Sequence, residues 1–489
     1  MKTAIRIIIL AVASVFAAMS CQKETIGTQD LVKEGETIQV NINASLGDLV
    51  AADGTKATAT SVVRLQWGDG DKVDAYCGTT KISGTDGLTV TPSENGIFAK
   101  LSGEITTTNL TSGTSVITFV YSNGCTPDGL TFDLSSQGAD IPFVAYGTLV
   151  YDGTATLANK IVEFKFATSV MKIVATNLGG GNVTGATISG INTKVTLTPD
   201  DDSETCGISG DNKATISTTN YDASSDGTRA IVTVGLVPDN NKGRNISVTQ
   251  TGFTNKGAIT SAEIHSSTSY TTPASLFSCG KIDDHDYVLI AGTKWATRNI
   301  GATEDTGTNS YGTYFAWGDT SGQEAGTKPT DGKTASKAFT SGFSTTPSLT
   351  STNPKRLSLE NDAANATWGD PWRMPTSAEF KALKDATYWA WDGTDKGYYV
   401  YAPQSGDAGK KNNETTNTYD KSTALLFFPA AGRGYSTGLE NAGTYGYYWS
   451  STLYSSTDAY YLLFNNAGVI PQQINGSRYL GFSVRPVSD

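Results

Sequence analysis

Residues 37–46 read TIQVNINASL, with Ile38, Val40, Ile42, Ala44 and Leu46 on one parity and Gln39, Asn41 and Asn43 on the other. A period of two puts one face in a core and the other in water, so the stretch predicts a half-buried strand. The runs SVITFVYS, KIVEFKFATSVMKIVATNL, RAIVTVGLVP and NISVTQTG are likewise β-branched and aromatic, and Gly, Asn, Asp or Ser bounds them. In the second run Val162, Phe164 and Phe166 oppose Glu163 and Lys165. A helical pattern stands out in PTSAEFKALKDA. There Thr376 and Glu379 make a T-x-x-E capping box, Pro375 and Phe380 a hydrophobic staple, and Phe380, Leu383 and Ala386 an inward stripe. The patterning predicts a mainly β protein. Hydrophobic content of 38% with 52 glycines agrees, since it suits many short strands and turns better than helices.

At 489 residues the chain is too long for one ordinary core, and three domains are expected. A formal net charge of -11 and the absence of a clustered Lys/Arg run exclude a nucleic-acid partner, which needs a basic stripe. The N-terminus carries Lys2 and Arg6, then IIILAVASVFAA, then MSC. Basic residues, a short apolar core and small residues make residues 1–20 an export signal. The cysteine after AAMS resembles a bacterial lipobox, with Ala18 where Leu is usual. That resemblance implies acylation of Cys21, hence a membrane partner through a lipid anchor, with residues 21–36 as a tether. Export permits disulfides among Cys77, Cys125, Cys206 and Cys279, and isolated buried thiols are the alternative. No Cys/His spacing suggests a metal, and the histidines are His265 and His285.

Four features occur in order: Cys21, the strand Thr37 to Leu46, a TKA segment at Thr55 to Ala57, and Trp67 with Gly70, Asp71, Val73 and Tyr76. Together they resemble the fimbrillin family of Bacteroidales surface lipoproteins, the type V pilins and their anchor and tip relatives. The resemblance implies two tandem fimbrillin-type β-sandwiches, assigned to residues 37–155 and 156–278. It also implies protease cleavage after Lys56 or Arg64 in the early loop. Other fimbrial subunits would then be partners through donor-strand addition, at the outer membrane and cell surface.

Seven of the eight tryptophans lie after residue 290, and the Asp-rich segment Cys279 to Tyr287 reads as a link. Beyond it come YVLIAGTKWATRNIGA, GTYFAWGD, WGDPWRMPTSAEFKAL, FFPAAGRG, YYWSST and GFSVRPV. These resemble the Fibrobacter major paralogous domain, a branch of the C-type-lectin-like fold, and imply an α+β ligand-binding domain over 279–489. Relatives of that fold include a copper-dependent oxidase working through cysteine thiolates, but no cysteine follows Cys279 and both histidines precede the domain body. No catalytic residue is assigned and no cofactor is expected. The Glu-Pro-Asn or Gln-Pro-Asp triplet of calcium-dependent lectins is missing, and LENDAAN at 359–365 reads as a solvated loop.

Segments 433–448 and 454–478 mix Tyr with Ser, Gly and Asn, the composition of antibody binding loops, where rigid amphipathic rings and adaptable hydrogen bonds combine. FFPAAG, YYWSST and GFSVRPV frame them. The arrangement resembles the C-terminal variable region of proteins diversified by retroelements. The candidate ligand residues are Arg433, Tyr435, Tyr447, Tyr454, Ser456, Asp458, Tyr460, Asn465, Asn466, Gln472, Gln473 and Asn475. Trp449, Phe482 and Val484 are expected in the core, with Arg485 as an internal hydrogen-bonding arginine. The expectation is a lipid-anchored adhesin, a fimbrial tip subunit binding a host or bacterial glycan or protein. The alternative is a structural pilin or anchor subunit whose C-terminal domain binds nothing.

Overall fold

A computed structural model of the chain describes residues 33–51, 65–94, 96–240, 243–259, 263–324, 347–351, 354–404, 406–411, 414, 419, 421–436 and 438–489. The expected signal peptide, Cys21, the tether up to residue 32 and both processing candidates, Lys56 and Arg64, lie outside the described residues. The protein is mostly β, built of several sheet modules.

In the first unit seven strands close into a barrel, in the order Lys72–Cys77, Leu88–Pro92, Phe98–Thr106, Thr37–Leu46, Thr156–Phe166, Phe143–Val150, Val116–Asn123 and back to Lys72–Cys77. The alternation in TIQVNINASL is what the barrel uses: Ile38, Val40, Ile42, Ala44 and Leu46 point inward and are buried. Thr37–Leu46 runs antiparallel to Phe98–Thr106 and parallel to Thr156–Phe166. The latter strand therefore completes the barrel, whereas the sequence placed it in a second sandwich beginning at residue 156. The change of sheet falls instead between Phe166 and Ser169. The tryptophan motif is a packed turn. Trp67 stacks on Tyr121 at 4.4 Å, while the Asp71 carboxylate accepts from the Gly68 amide at 2.6 Å and from the Tyr121 hydroxyl.

The second unit is a sandwich. One sheet runs Tyr221–Ala223, Ala230–Leu236, Ser169–Thr176, Thr268–Ser275 and Val50–Ala51. The short strand Val50–Ala51, next after the barrel's Thr37–Leu46 in the chain, thus pairs in a different unit. The facing sheet carries Val183–Pro199, Arg244–Gln250 and Phe253–Ile259, and Ile173, Val232, Ile188 and Val248 fill the space between. The four cysteines Cys77, Cys125, Cys206 and Cys279 are unpaired thiols.

That facing sheet does not stop at the expected boundary. Phe253–Ile259 pairs with Phe277–Ile282, which pairs with His285–Ile290, then Thr293–Ala296, then the C-terminal Val487–Ser488. Cys279 to Tyr287, read as a link, is a hairpin: Asp283 and Asp284 form the turn, with Asp283 at φ 49°, and Asp286 lies on the returning strand. The third unit is thus entered and left through adjacent strands. Inside it, a sheet of Gln323–Glu324, Thr313–Phe315, Phe482–Ser483, Tyr445–Leu453, Asp458–Asn465 and Gly468–Ser477 separates two cores. The helix Ser377–Ala386 begins at the predicted capping box, with Phe380 and Leu383 buried. LENDAAN is solvated only at its start, where Leu359 and Glu360 are exposed. Asp362 is 2% exposed and accepts from the amides of Ala364, Asn365 and Met374, which starts the helix Ala363–Trp368.

Candidate ligand-binding surface

Alternation in YGYYWSST sends Tyr448 to one face of the sheet and Tyr447 and Trp449 to the other. Tyr448 joins Leu462 and Phe464 in one core, while Tyr447, Trp449, Ala459 and Phe482 belong to the second. Gly446 has a packing reason. It lies under the Phe464 ring, and a Cβ there would fall 2.0 Å from that ring. Arg485 locks the frame from inside. It donates to Asn299 Oδ1 at 2.9 Å and to the carbonyls of Ala296, Thr297 and Phe427 at 3.1, 2.8 and 2.7 Å. Trp449, Phe482 and Val484 are fully buried.

On the second face the rings step from core to surface. Trp449 stacks on Phe482 at 4.1 Å, and Tyr461 meets them edge-on at 5.9 and 4.9 Å. Tyr447 lies 5.2 Å from Phe482 and 6.0 Å from Tyr461, and Tyr445 stacks on Tyr447 at 5.9 Å. Tyr445, Tyr461, Leu463 and Tyr479 remain partly open. Beside them the hairpin Arg433–Tyr435/Gly438–Glu440 places the Arg433 guanidinium against Glu440, at 3.1 and 3.0 Å, and over the rings of Tyr447 and Tyr435, at 5.6 and 5.8 Å. Burial pushes the Tyr461 phenol up to about 12, so near neutral pH it is an uncharged donor and acceptor. The outcome is an amphipathic patch on a packed aromatic floor. Rigid rings of this kind lose little entropy on contact.

The predicted ligand residues do not form one surface. Arg433 and Tyr435 belong to this patch, and Tyr435 is 43% exposed. Tyr447 does not present itself: it is 6% exposed, and its hydroxyl accepts from Asn441 Nδ2. Tyr454, 52% exposed, meets Tyr460 edge-on at 5.2 Å near one turn, and Asn475 pairs in register with Tyr460. Strand alternation sets Tyr460 on the face opposite Tyr461. In that turn the Asp458 carboxylate is occupied by the hydroxyls of Ser455, Thr457 and Ser477, and the Ser456 carbonyl accepts from Arg478. Asn465 and Asn466 sit at the other end of the strand Asp458–Asn465, roughly 23 Å away at about 3.3 Å per residue. Asn465 closes its own turn by accepting from the Ala467 amide. Gln472 and Gln473 lie on the strand Gly468–Ser477, where only their backbone is described. Tyr445, Tyr461, Leu463 and Tyr479 were missed; the parity Tyr445 shares with Trp449 on one strand was readable, whereas Tyr461 and Leu463 come to that face only through the register of the neighbouring strand. Among the described residues no group of three or more His, Cys, Asp or Glu could hold a metal ion.

The fold and this patch define a β-rich, multi-unit chain with an amphipathic aromatic patch near its C-terminus. Residues 410–487, a stretch that includes every candidate ligand residue, match a family described as a domain of unknown function, DUF8237. No curated protein matches the chain. Solved structures that resemble it include a candidate cell adhesion protein of Bacteroides ovatus, at 12% identity and TM-score 0.30, covering 50% of this chain and 93% of that one. Another candidate cell adhesion protein, from Bacteroides uniformis, has 14% identity and TM-score 0.29, covering 51% and 96%. A fimbrial assembly protein of Parabacteroides distasonis has 11% identity and TM-score 0.27, covering 52% and 95%.

Proposed function

We propose that the chain is a cell-surface adhesin, the tip subunit of a fimbria, which binds a glycan or protein ligand through the patch around Arg433, Tyr435, Tyr445 and Tyr461. The observation that carries this reading is the graded burial of that aromatic stack, from fully enclosed Trp449 to half-open Tyr445 and Tyr461. Such a stack presents large contact area that is already ordered before a partner arrives. Tyr454 and Tyr460 offer a second, smaller contact at the far turn.

Acylation at Cys21 and cleavage after Lys56 or Arg64 belong to the same proposal. In the barrel, Thr37–Leu46 is flanked by two strands and buries five aliphatic or small side chains. Its removal would leave an apolar slot with unpaired backbone on both sides, which a strand from another subunit would fill.

Adherence of cells displaying the chain tests the patch. The double substitution Tyr445→Ala/Tyr461→Ala is expected to reduce bound cells by about tenfold or more, the effect of losing ~1.4 kcal/mol of binding free energy. Full adherence by the folded variant would return the third unit to a merely structural role. Membrane fractionation tests the anchor. Cys21→Ser is expected to release the protein, and retention would refute acylation at that residue.

A further inference from the structure

Two barrel strands are its ends in the chain. Thr37–Leu46 is the first and Thr156–Phe166 the last, and they lie side by side, parallel, from Gln39 opposite Thr156 to Leu46 opposite Phe164. In such a pair the start of one strand and the end of the other sit at opposite ends of the ladder. Tension that enters ahead of Thr37 and leaves after Phe166 therefore pulls the two strands lengthwise past each other. The antiparallel neighbour Phe98–Thr106 holds the other edge of Thr37–Leu46 through nine consecutive pairs, from Thr37 opposite Thr106 to Ser45 opposite Phe98. The entry is pinned as well. Thr107, 1% exposed, donates its amide to the Glu36 carbonyl at 2.8 Å and its hydroxyl to the Lys33 carbonyl at 2.7 Å.

The rest of the barrel is fastened to the second unit. Tyr76, Val120 and Val144, on three other barrel strands, share a core with Val195, Leu197 and Val237. Beyond Phe166 the strand Ser169–Thr176 leads away from the barrel, toward the end of the sandwich where the Thr251 amide donates to the Asn182 carbonyl at 3.0 Å. Backbone hydrogen bonds loaded lengthwise must all stretch together, whereas peeling from one end breaks them one pair at a time. Sliding also unseats side chains, because Ile38, Val40, Ile42, Ala44 and Leu46 are buried inside the barrel. A slip of one residue would turn that whole set to water. The next seat with the same parity lies two residues on, about 7 Å away.

We infer that Thr37–Leu46, seated between Thr156–Phe166 and Phe98–Thr106, is a tension clamp: a chain pulled from its N-terminus bears load through the barrel without opening it. The inference concerns the uncleaved chain and stands whether or not the tyrosine patch holds a ligand. Optical-trap pulling of the chain without its expected export signal, residues 22–489, tests it. One handle is a peptide tag at the N-terminus. The other is attached through p-azidophenylalanine at one of two exposed positions. At Thr251 it loads the strand lengthwise. At Ala155, next to the Thr156 end of the ladder, it peels the strand away pair by pair. In the lengthwise geometry, opening of residues 37–166 is recognised by a gain in length on the order of 450 Å, at about 3.3–3.6 Å per residue. At one loading rate the force of that event is expected to be several-fold the peeling force. Equal forces in the two geometries, or a lower force lengthwise, would overturn the clamp.

Discussion

Asp362 sits almost fully buried at the start of the helix Ala363–Trp368, with three backbone amides pointing at its carboxylate. Burial pushes its carboxyl pKa up to about 6, against the opposing pull of those amides and of Arg373. An unfolded Asp titrates near ~3.9. The folded state thus holds the proton more tightly, so the stability Asp362 contributes is complete below about pH 4 and is lost as pH rises through about 6. Urea unfolding followed by tryptophan fluorescence reads the third unit, which holds seven of the eight tryptophans. Between those pH values the native chain is expected to lose on the order of 2 kcal/mol that Asp362→Asn does not. Equal pH dependence in the two proteins would refute it. At this scale the sequence was partly legible. Trp449, Phe482 and Arg485 could be placed because their chemistry demands burial or internal partners. Tyr447 could not be told from Tyr445, since both share a parity and only the Arg433 hairpin, folded over one of them, decides which is covered.

The helix Ser377–Ala386 shows how far local chemistry alone reaches. Thr376 Oγ1 accepts from the Glu379 amide at 3.2 Å, and Glu379 accepts in return from the Thr376 amide at 2.6 Å. Arg373 then clamps the same carboxylate at 2.9 and 2.6 Å. Burial pushes the Glu379 carboxyl pKa up, but Arg373 and Thr376 outweigh it and hold the carboxyl below its ordinary value. Thr376→Ala is expected to cost about 1 kcal/mol in the same fluorescence-detected unfolding, and an unchanged midpoint would show that the box contributes nothing. These contacts lie within a few residues, so the motif could be read directly. Barrel closure could not, because it rests on Lys72–Cys77 pairing with Val116–Asn123, a choice no local pattern encodes. Thr156–Phe166 shows the same gap: its alternation would serve either sheet, and only the parallel register with Thr37–Leu46 assigns it to the first.

Across the whole molecule, the second and third units share hydrogen-bonded strands from Phe253–Ile259 through to Val487–Ser488. Covalent linkage alone would let such units unfold separately, whereas a common sheet couples them. Differential scanning calorimetry of the full chain is expected to show them unfolding in one transition. Two well-separated transitions for residues 169–489 would refute the coupling. The short strand Val50–Ala51 has a different consequence. It pairs in the second unit while the preceding Thr37–Leu46 pairs in the barrel, so one stretch of backbone is seated in two bodies at once. On the proposed exchange, a donated segment following the same path would be bivalent. Its second foothold would form at the high effective concentration that a tether of three residues imposes, and detachment would require both to open together.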